Sequence, residues 1–447
     1  MILRPLAACV FVALVMRLIR ELQPSRYGII LGCFLLYLPL SGKFQLNLAP
    51  GINLVTIFFV TLLMQKKEEG EVVPGGEHEG AVRGLLMAWI AICAWGFLLA
   101  LSGQIPVAEL VVLLKRWLDP IFACLLAFRI TKQEDRKFVL ACVLLGYLLV
   151  GAQGLRHGLD YGDKVRIGGL FDQPNDLGAF LAMYAPLALV TAVFMTTGWI
   201  RYALLGGVGV SSWALLYTQS RAALLALPLG VLTVLFRSGR QGLGFLGVLL
   251  VMLFWWFPEV LPEQATARFE STYVEDNALP GSSGQLEDSA ASRMDIWTGA
   301  LNMIAENPLG VGFAQFQLMI EKYVKFRNEA RDAHNFYLLV CAELGVLGLL
   351  LLLGLVWKIL TVSWAVSQRS EDEFVKWLGL GVFATVLVTI MVNVFGSRMM
   401  TLQVATSFWV LAAITVRAYD CQLAAEQAHT RAAIRGRLRG PLARAEN

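Results

Sequence analysis

The chain has 447 residues, of which 57% are hydrophobic and 16% charged, with a formal net charge of +4. Soluble domains carry about 25% charged residues, so a soluble multi-domain protein is excluded. The apolar runs are long and lack period-2 alternation, which excludes a membrane β-barrel and points to an all-α polytopic membrane protein.

Apolar segments fall at about 3–19, 27–41, 50–64, 85–102, 108–130, 137–154, 177–197, 200–217, 221–237, 241–257, 336–361, 376–395 and 399–417. They give about 12–13 transmembrane helices. Their arrangement divides the chain into four parts: helices with short loops over 1–257, a long polar loop over 258–335, C-terminal helices over 336–417 and a basic tail over 418–447. The first helix is short, and whether it spans is left open. No signal-peptide cleavage site follows Leu6 to Met16; Arg17, Arg20 and Arg26 come next instead.

Lys and Arg mark one side of the membrane. They cluster at Arg17/Arg20/Arg26, Lys66/Lys67/Arg83, Arg129/Lys132/Arg136/Lys137, Arg201, Arg237/Arg240, Lys358/Arg369/Lys376 and in the tail. Basic short loops face the cytoplasm. The segments 42–49, 103–107, 155–176, 218–220, 258–335 and 396–398 then face outward, so the long loop is expected to be extracytoplasmic. Residues 65–84 read as a solvated cytoplasmic linker, with no partner expected for His78.

Within the long loop, Ser292-Arg293-Met294-Asp295 resembles a capping box that opens a helix. Ile296, Trp297, Ala300, Leu301 and Ile304 follow at helical spacing, as in a helix lying on a membrane surface or on other helices. Asn307-Pro308-Leu309-Gly310-Val311-Gly312 predicts a turn. A second amphipathic stretch uses Phe313, Phe316, Met319, Ile320 and Tyr323, and Lys322, Lys325, Arg327 and Arg331 then lead to Asp332-Ala333-His334-Asn335.

Among four histidines, His334 alone lies at a helix entry on the side of the long loop. Imidazole titrates near neutrality and can take a proton from a hydroxyl; the competing reading is an interfacial histidine that only caps or hydrogen-bonds locally, next to Asn335. Arg166, Arg221, Arg293 and Arg398 lie on the outward side, against the positive-inside bias. Guanidinium groups bind phosphate oxygens in pairs and keep their charge, so together they suit a lipid diphosphate. Taken singly, each also reads as a headgroup contact or a partner for Glu343, Asp172 or Asp295. Glu343 lies inside an apolar helix and needs a partner; pairing with an arginine is the favoured reading, with acid/base work the other. Asp172-Gln173-Pro174-Asn175-Asp176 reads as a helix start with Asn175 or Asp176 as the N-cap. The seven cysteines lie in or beside apolar segments, and no metal-ligand spacing occurs. The expectation is no metal and no cofactor.

These segments resemble, in order, the O-antigen ligase-like superfamily of bacterial membrane glycosyltransferases. The resemblance rests on Arg166-Ile-Gly-Gly-Leu-Phe-Asp-Gln-Pro-Asn175, on Gln219-Ser220-Arg221-Ala222-Ala223-Leu224, on Ser292-Arg293 with Trp297 and Asn307 to Gly312, and on His334-Asn335 through Glu343-Leu344-Gly345. It covers roughly residues 160–350. It implies a GT-C-like helical fold in the bacterial inner membrane, with the site on the periplasmic face. The implied donor is a glycan on undecaprenyl diphosphate, and the implied acceptor is a hydroxyl of a lipid A-core sugar or another glycan. Residue by residue, it implies that Arg221 and Arg293 hold the diphosphate and His334 activates the acceptor, with Arg166 also on the diphosphate and Glu343 and Asn335 in support. The reaction expected is inverting and metal-independent. A polysaccharide polymerase or a protein O-oligosaccharyltransferase using the same donor is the alternative. A lipid or polysaccharide transporter is the less favoured alternative: it would need mid-membrane charges and paired broken helices, whereas most intramembrane charges lie near helix ends and no internal repeat is seen. Membrane lipids are expected partners, and nucleic acid is not.

Overall fold

The computed structural model describes residues 3–41, 47–49, 52–65, 75–101, 103, 105–161, 165–239, 273–274, 285–286, 288–324 and 332–442. The fold is all-α. Two minimal antiparallel ladders, Asn47–Ala49 with Ile52–Asn53 and Tyr273–Val274 with Gln285–Leu286, do not alter the class. The helices in chain order are α1 (Leu3–Leu22), α2 (Arg26–Ser41), α3 (Leu54–Met64), α4 (Glu77–Ala100), α5 (Val107–Ala127), α6 (Gln133–Tyr161), α7 (Pro174–Val190), α8 (Gly198–Thr218) and α9 (Arg221–Arg237). Then come α10 (Asp288–Glu306), the short α11 (Gln315–Met319), α12 (Phe336–Arg369), α13 (Glu373–Val394) and α14 (Leu402–Leu442). Among the described residues, six helices are long and apolar enough to cross a membrane: α4, α6, α7 with its π-helical extension to Met195, α12, α13 and α14. α2 and α3 are apolar but shorter. The chain is a multi-pass membrane protein. The predicted helix over 241–257 lies outside the described residues, as do Lys66, Lys67, Lys325, Arg327 and Arg331.

α7 and α14 bury most of their apolar length and form the centre, whereas α4 leaves most of its own on the outside. Starts are set by local chemistry. Pro174 occupies the first turn of α7, where its missing N–H costs nothing. Asp372 caps α13, its Oδ1 accepting from the backbone N–H of Phe374 at 2.8 Å and of Val375 at 3.1 Å. Asn335 caps α12 in the same way, accepting from Tyr337 at 3.0 Å and Leu338 at 3.1 Å. Each such cap contributes about 1 kcal/mol.

Four sequence expectations change. The linker predicted over 65–84 ends early, because α4 begins at Glu77 and Glu79 is buried. Glu79 can be buried because Arg83 and Arg417 each contact its carboxylate at 2.6 Å. His78, expected to be without a partner, stands with Nδ1 2.9 Å from Asp420 Oδ1. The capping box predicted at Ser292 is not a helix start; α10 begins at Asp288. Asp288 and Ser289 are themselves favoured at helix starts, and no breaker separates them from Ser292. The N-cap of α7 is Gln173, not Asn175 or Asp176.

The turn predicted at Asn307 to Gly312 is half of a joint. α12 kinks at Gly345, whose φ of +75° leaves carbonyls of the previous turn open. Val311 N–H donates to Ala342 O at 2.9 Å, Gly312 N–H to Glu343 O at 2.9 Å, and Val346 N–H to Pro308 O at 3.0 Å. The segment after α10 is thus sewn to α12 by backbone. A Cβ on Gly345 would lie 2.6 Å from the backbone carbon of Leu309 and 2.7 Å from Pro308 O. The left-handed conformation alone costs a non-glycine residue roughly 1–2 kcal/mol. Gly345→Ala is therefore expected to lower the melting temperature of the detergent-solubilised protein; an unchanged melt would show that the joint tolerates a methyl.

Candidate functional site

The arginines singled out in the sequence come together. A cavity of about 240 Å³ is lined by Arg166, Arg221, Arg293 and Arg398, with Asn175, Gln219, Trp297 and Phe395 between them. These side chains belong to four distant pieces of chain: the loop before α7, the start of α9, α10, and the turn between α13 and α14. Among the described lining residues none is acidic. Small-molecule sites commonly measure roughly 300–1,000 Å³, so this space suits a charged headgroup better than a whole lipid.

Each piece has a local reason to be there. Gln219 closes α8 in the left-handed region at φ +51°, which turns the chain sharply into α9. Arg221 is then the first residue of α9, and Ser220, Ala222 and Ala223 present the first turn of that helix to the cavity. The start of α7 contributes Asn175. The first N–H groups of a helix have no intrahelical acceptor, and the first turn of α9 lies against the cavity beside the arginines. Arg293 and Trp297 stand four residues apart, on one face of α10. The neighbouring face buries Ile296, Ala300 and Met303 against Phe316, Ile320 and Ala342, which fixes α10 over α12.

Hydrogen bonds set the guanidinium groups. Arg166 donates from Nη2 to Asn175 Oδ1 at 2.8 Å and from Nε to Thr218 O at 3.2 Å. Arg398 is buried and makes an ion pair with Asp176 at 2.6 Å. The sequence shows Arg398 only as one more outward arginine; its pairing joins helices more than two hundred residues apart and leaves no local signature.

His334 does not line the cavity; it stands at its rim. Trp297 Nε1–H donates to the carbonyl of the preceding Ala333 at 3.0 Å. Ser397, next to Arg398, donates from Oγ to Asp332 Oδ1 at 3.0 Å. Burial is the main influence that lowers the His334 pKa from its ordinary value of 6.5; Asp332 opposes it, and the charges of Arg293 and Arg398 add to it. The ring is accordingly a neutral base at physiological pH. Its backbone is held at φ +46°, a region costly for a residue other than glycine. The strain is held by the Asn335 cap on one side and by Asp332 Oδ1, which accepts from His334 N–H at 3.2 Å, on the other.

Glu343 lies away from the arginines. It is buried two residues before the kink at Gly345, and among the described residues no arginine pairs with it. Asn335 is the cap of α12 and supports the site by setting the turn that carries His334. Among the described residues, no group of three or more His, Cys, Asp or Glu side chains could hold a metal ion.

Four arginines line one cavity within a bundle of membrane helices, with a histidine close by. Residues 206–353 match the family profile described as O-antigen ligase. Over that span the chain is similar to the O-antigen ligase family. The matched span is about a third of the sequence and holds Arg221, Arg293, His334, Asn335 and Glu343; Arg166 lies before it and Arg398 after it. The family resemblance noted from short motifs thus stands over its central portion. The match supports an enzyme in general. A search of curated proteins returned no match.

Proposed function

We propose that the protein is an O-antigen ligase-type glycosyltransferase. It moves a glycan from undecaprenyl diphosphate to a hydroxyl of a lipid A-core sugar at the periplasmic face of the bacterial inner membrane. The observation that carries this reading is the convergence of Arg166, Arg221, Arg293 and Arg398 on one cavity. The lining segments all belong to stretches that the distribution of Lys and Arg assigns to the outer side, which supports a periplasmic site.

The chemistry follows from the groups present. The acceptor hydroxyl attacks the anomeric carbon of the donor sugar. A carbon–oxygen bond forms on one face while the bond to the diphosphate oxygen breaks on the other, so the anomeric configuration inverts. The proton of the hydroxyl goes to His334, and the electron pair of the broken bond stays on the lipid diphosphate. Arg221 and Arg293, with Arg166, face the charge that grows there. Charge stabilisation by fixed donors aimed at the leaving group is commonly the largest catalytic contribution. Guanidinium groups supply it without a divalent ion.

Purified protein, lipid-linked donor and two acceptors, lipid A-core and a second donor glycan, test the reading. The expected result is transfer to lipid A-core that persists after treatment with a chelator. Extension of the glycan on its own lipid carrier, with the core untouched, would instead assign a polymerase. A strict need for added divalent ion would defeat the metal-independent mechanism.

A further inference from the structure

The carboxylate of Asp332 is held in a way that its place in a turn does not require. Its Oδ1 accepts two hydrogen bonds, from Ser397 Oγ at 3.0 Å and from the His334 backbone N–H at 3.2 Å. Its Oδ2 is turned to the imidazole, 3.4 Å from His334 Nδ1. That nitrogen is buried and has no aligned hydrogen-bond partner among the described residues. One oxygen is thus anchored from two sides while the other faces a ring nitrogen across a gap slightly too long for a good bond. Ser397 ties the arrangement to the cavity, because the next residue is Arg398, itself locked by Asp176.

We propose that Asp332 is a positioning residue for His334: its Oδ2 accepts the Nδ1–H of the neutral imidazole, which leaves the Nε2 lone pair to take the proton of the acceptor hydroxyl. The inference rests on the reading of His334 as the base. A neutral imidazole carries one N–H, and a base needs the other nitrogen bare. A carboxylate beside Nδ1 selects that tautomer and stabilises the imidazolium formed when the proton arrives. Catalytic contacts are often long before substrate closes the site, and 3.4 Å fits such a resting state. The negative charge also works against Arg293 and Arg398, which both disfavour a proton on the ring. Without Asp332, His334 would be a weaker base and an undecided tautomer.

Asp332→Asn separates positioning from mere turn structure. The amide oxygen can still accept from Ser397 and from the His334 N–H, so the turn survives. The charge is lost, and an NH2 group can face Nδ1. The expected result is a fall in kcat of roughly tenfold to a hundredfold, smaller than in tighter dyads because the contact is longer. KM for the lipid-linked donor should stay within about twofold, since the arginines are untouched. The acid limb of the kcat profile should move to lower pH, because removing a nearby negative charge lowers the His334 pKa. Asp332→Glu keeps the charge; its limb should stay near that of the wild type, with kcat between wild type and the Asn variant. It also keeps the proposal testable if the Asn variant does not fold. Unchanged kcat and an unchanged limb in the Asn variant would overturn the inference. So would equal losses in both variants with wild-type limbs, the signature of a purely structural role. His334→Ala keeps the two ideas apart. If that variant is inactive while Asp332→Asn behaves as wild type, only the positioning role falls. If His334→Ala is active, the reading of His334 as the base falls as well, and the role of Asp332 with it.

Discussion

His334→Ala is expected to abolish glycan transfer while the protein remains folded and inserted. Positioned acid/base groups contribute about 10²–10⁴-fold, so the residual rate should lie at least two orders of magnitude below wild type. The substitution removes a side chain that is 34% exposed and lies outside the apolar core. A methyl side chain at φ +46° is little worse than the imidazole already there, so the melting temperature should change little. The wild-type pH profile gives an independent check. The unprotonated ring is the active form, so kcat/KM falls as pH drops through the His334 pKa of the free enzyme. Burial, with Arg293 and Arg398, holds that pKa below 6.5, and Asp332 only partly offsets them. Half-maximal kcat/KM on the acid side is therefore expected below pH 6.5. Stopped assays at limiting donor across pH 5 to 8 would read it. A midpoint above 6.5 would mean that another group sets the limb, and near-normal transfer by the Ala variant would remove His334 from the mechanism.

Periodicity and charge made the bundle legible. Residues 221–237 form the helix the apolar pattern predicts, and α12 starts at Phe336, where the predicted apolar run begins. The first turns of α4 were hidden because Glu77, Glu79 and Arg83 read as solvent-facing. Burial of Glu79 depends on Arg417, more than three hundred residues away, and no local pattern reports such a partner. The site divides in the same way. Outward arginines stand out because they break the positive-inside bias, and the histidine stands out by its place at a helix entry. Which carboxylates answer them is a matter of tertiary contact. Asp176, one of two cap candidates in the sequence, is the partner of Arg398, whereas Glu343, for which the sequence favours an arginine partner, has none among the described residues. The motif Asn307 to Gly312 and the motif Glu343-Leu344-Gly345 looked independent. They are two sides of one backbone joint, visible only once α12 kinks.

The arginines are not interchangeable, and their substitutions should sort into two kinds. Arg221→Ala and Arg293→Ala are expected to fold normally and lose transfer. Removing one fixed donor from a developing oxyanion typically costs about 2.7–4 kcal/mol, or 10²–10³ in kcat. Lys keeps the charge but loses the paired geometry of guanidinium, so Arg221→Lys should fall between wild type and Ala. The double Ala variant should lose less than the sum of the two single losses, because both act on the same diphosphate. Arg398→Ala belongs to the other kind. Its partner Asp176 is buried, and the substitution leaves that carboxylate without its 2.6 Å ion pair. Breaking one side of a buried pair costs roughly 3–5 kcal/mol, so this variant should melt earlier as well as lose activity. Replacing Asp176 together with Arg398 removes the stranded charge and should restore part of the melting temperature while activity stays low. Parallel melts and transfer assays on the set decide the matter. If Arg221→Ala and Arg293→Ala kept wild-type kcat, the cavity would have to bind something other than the leaving diphosphate. If Arg398→Ala melted as wild type, Asp176 would have to find another partner, and the division between binding and framework arginines would be wrong.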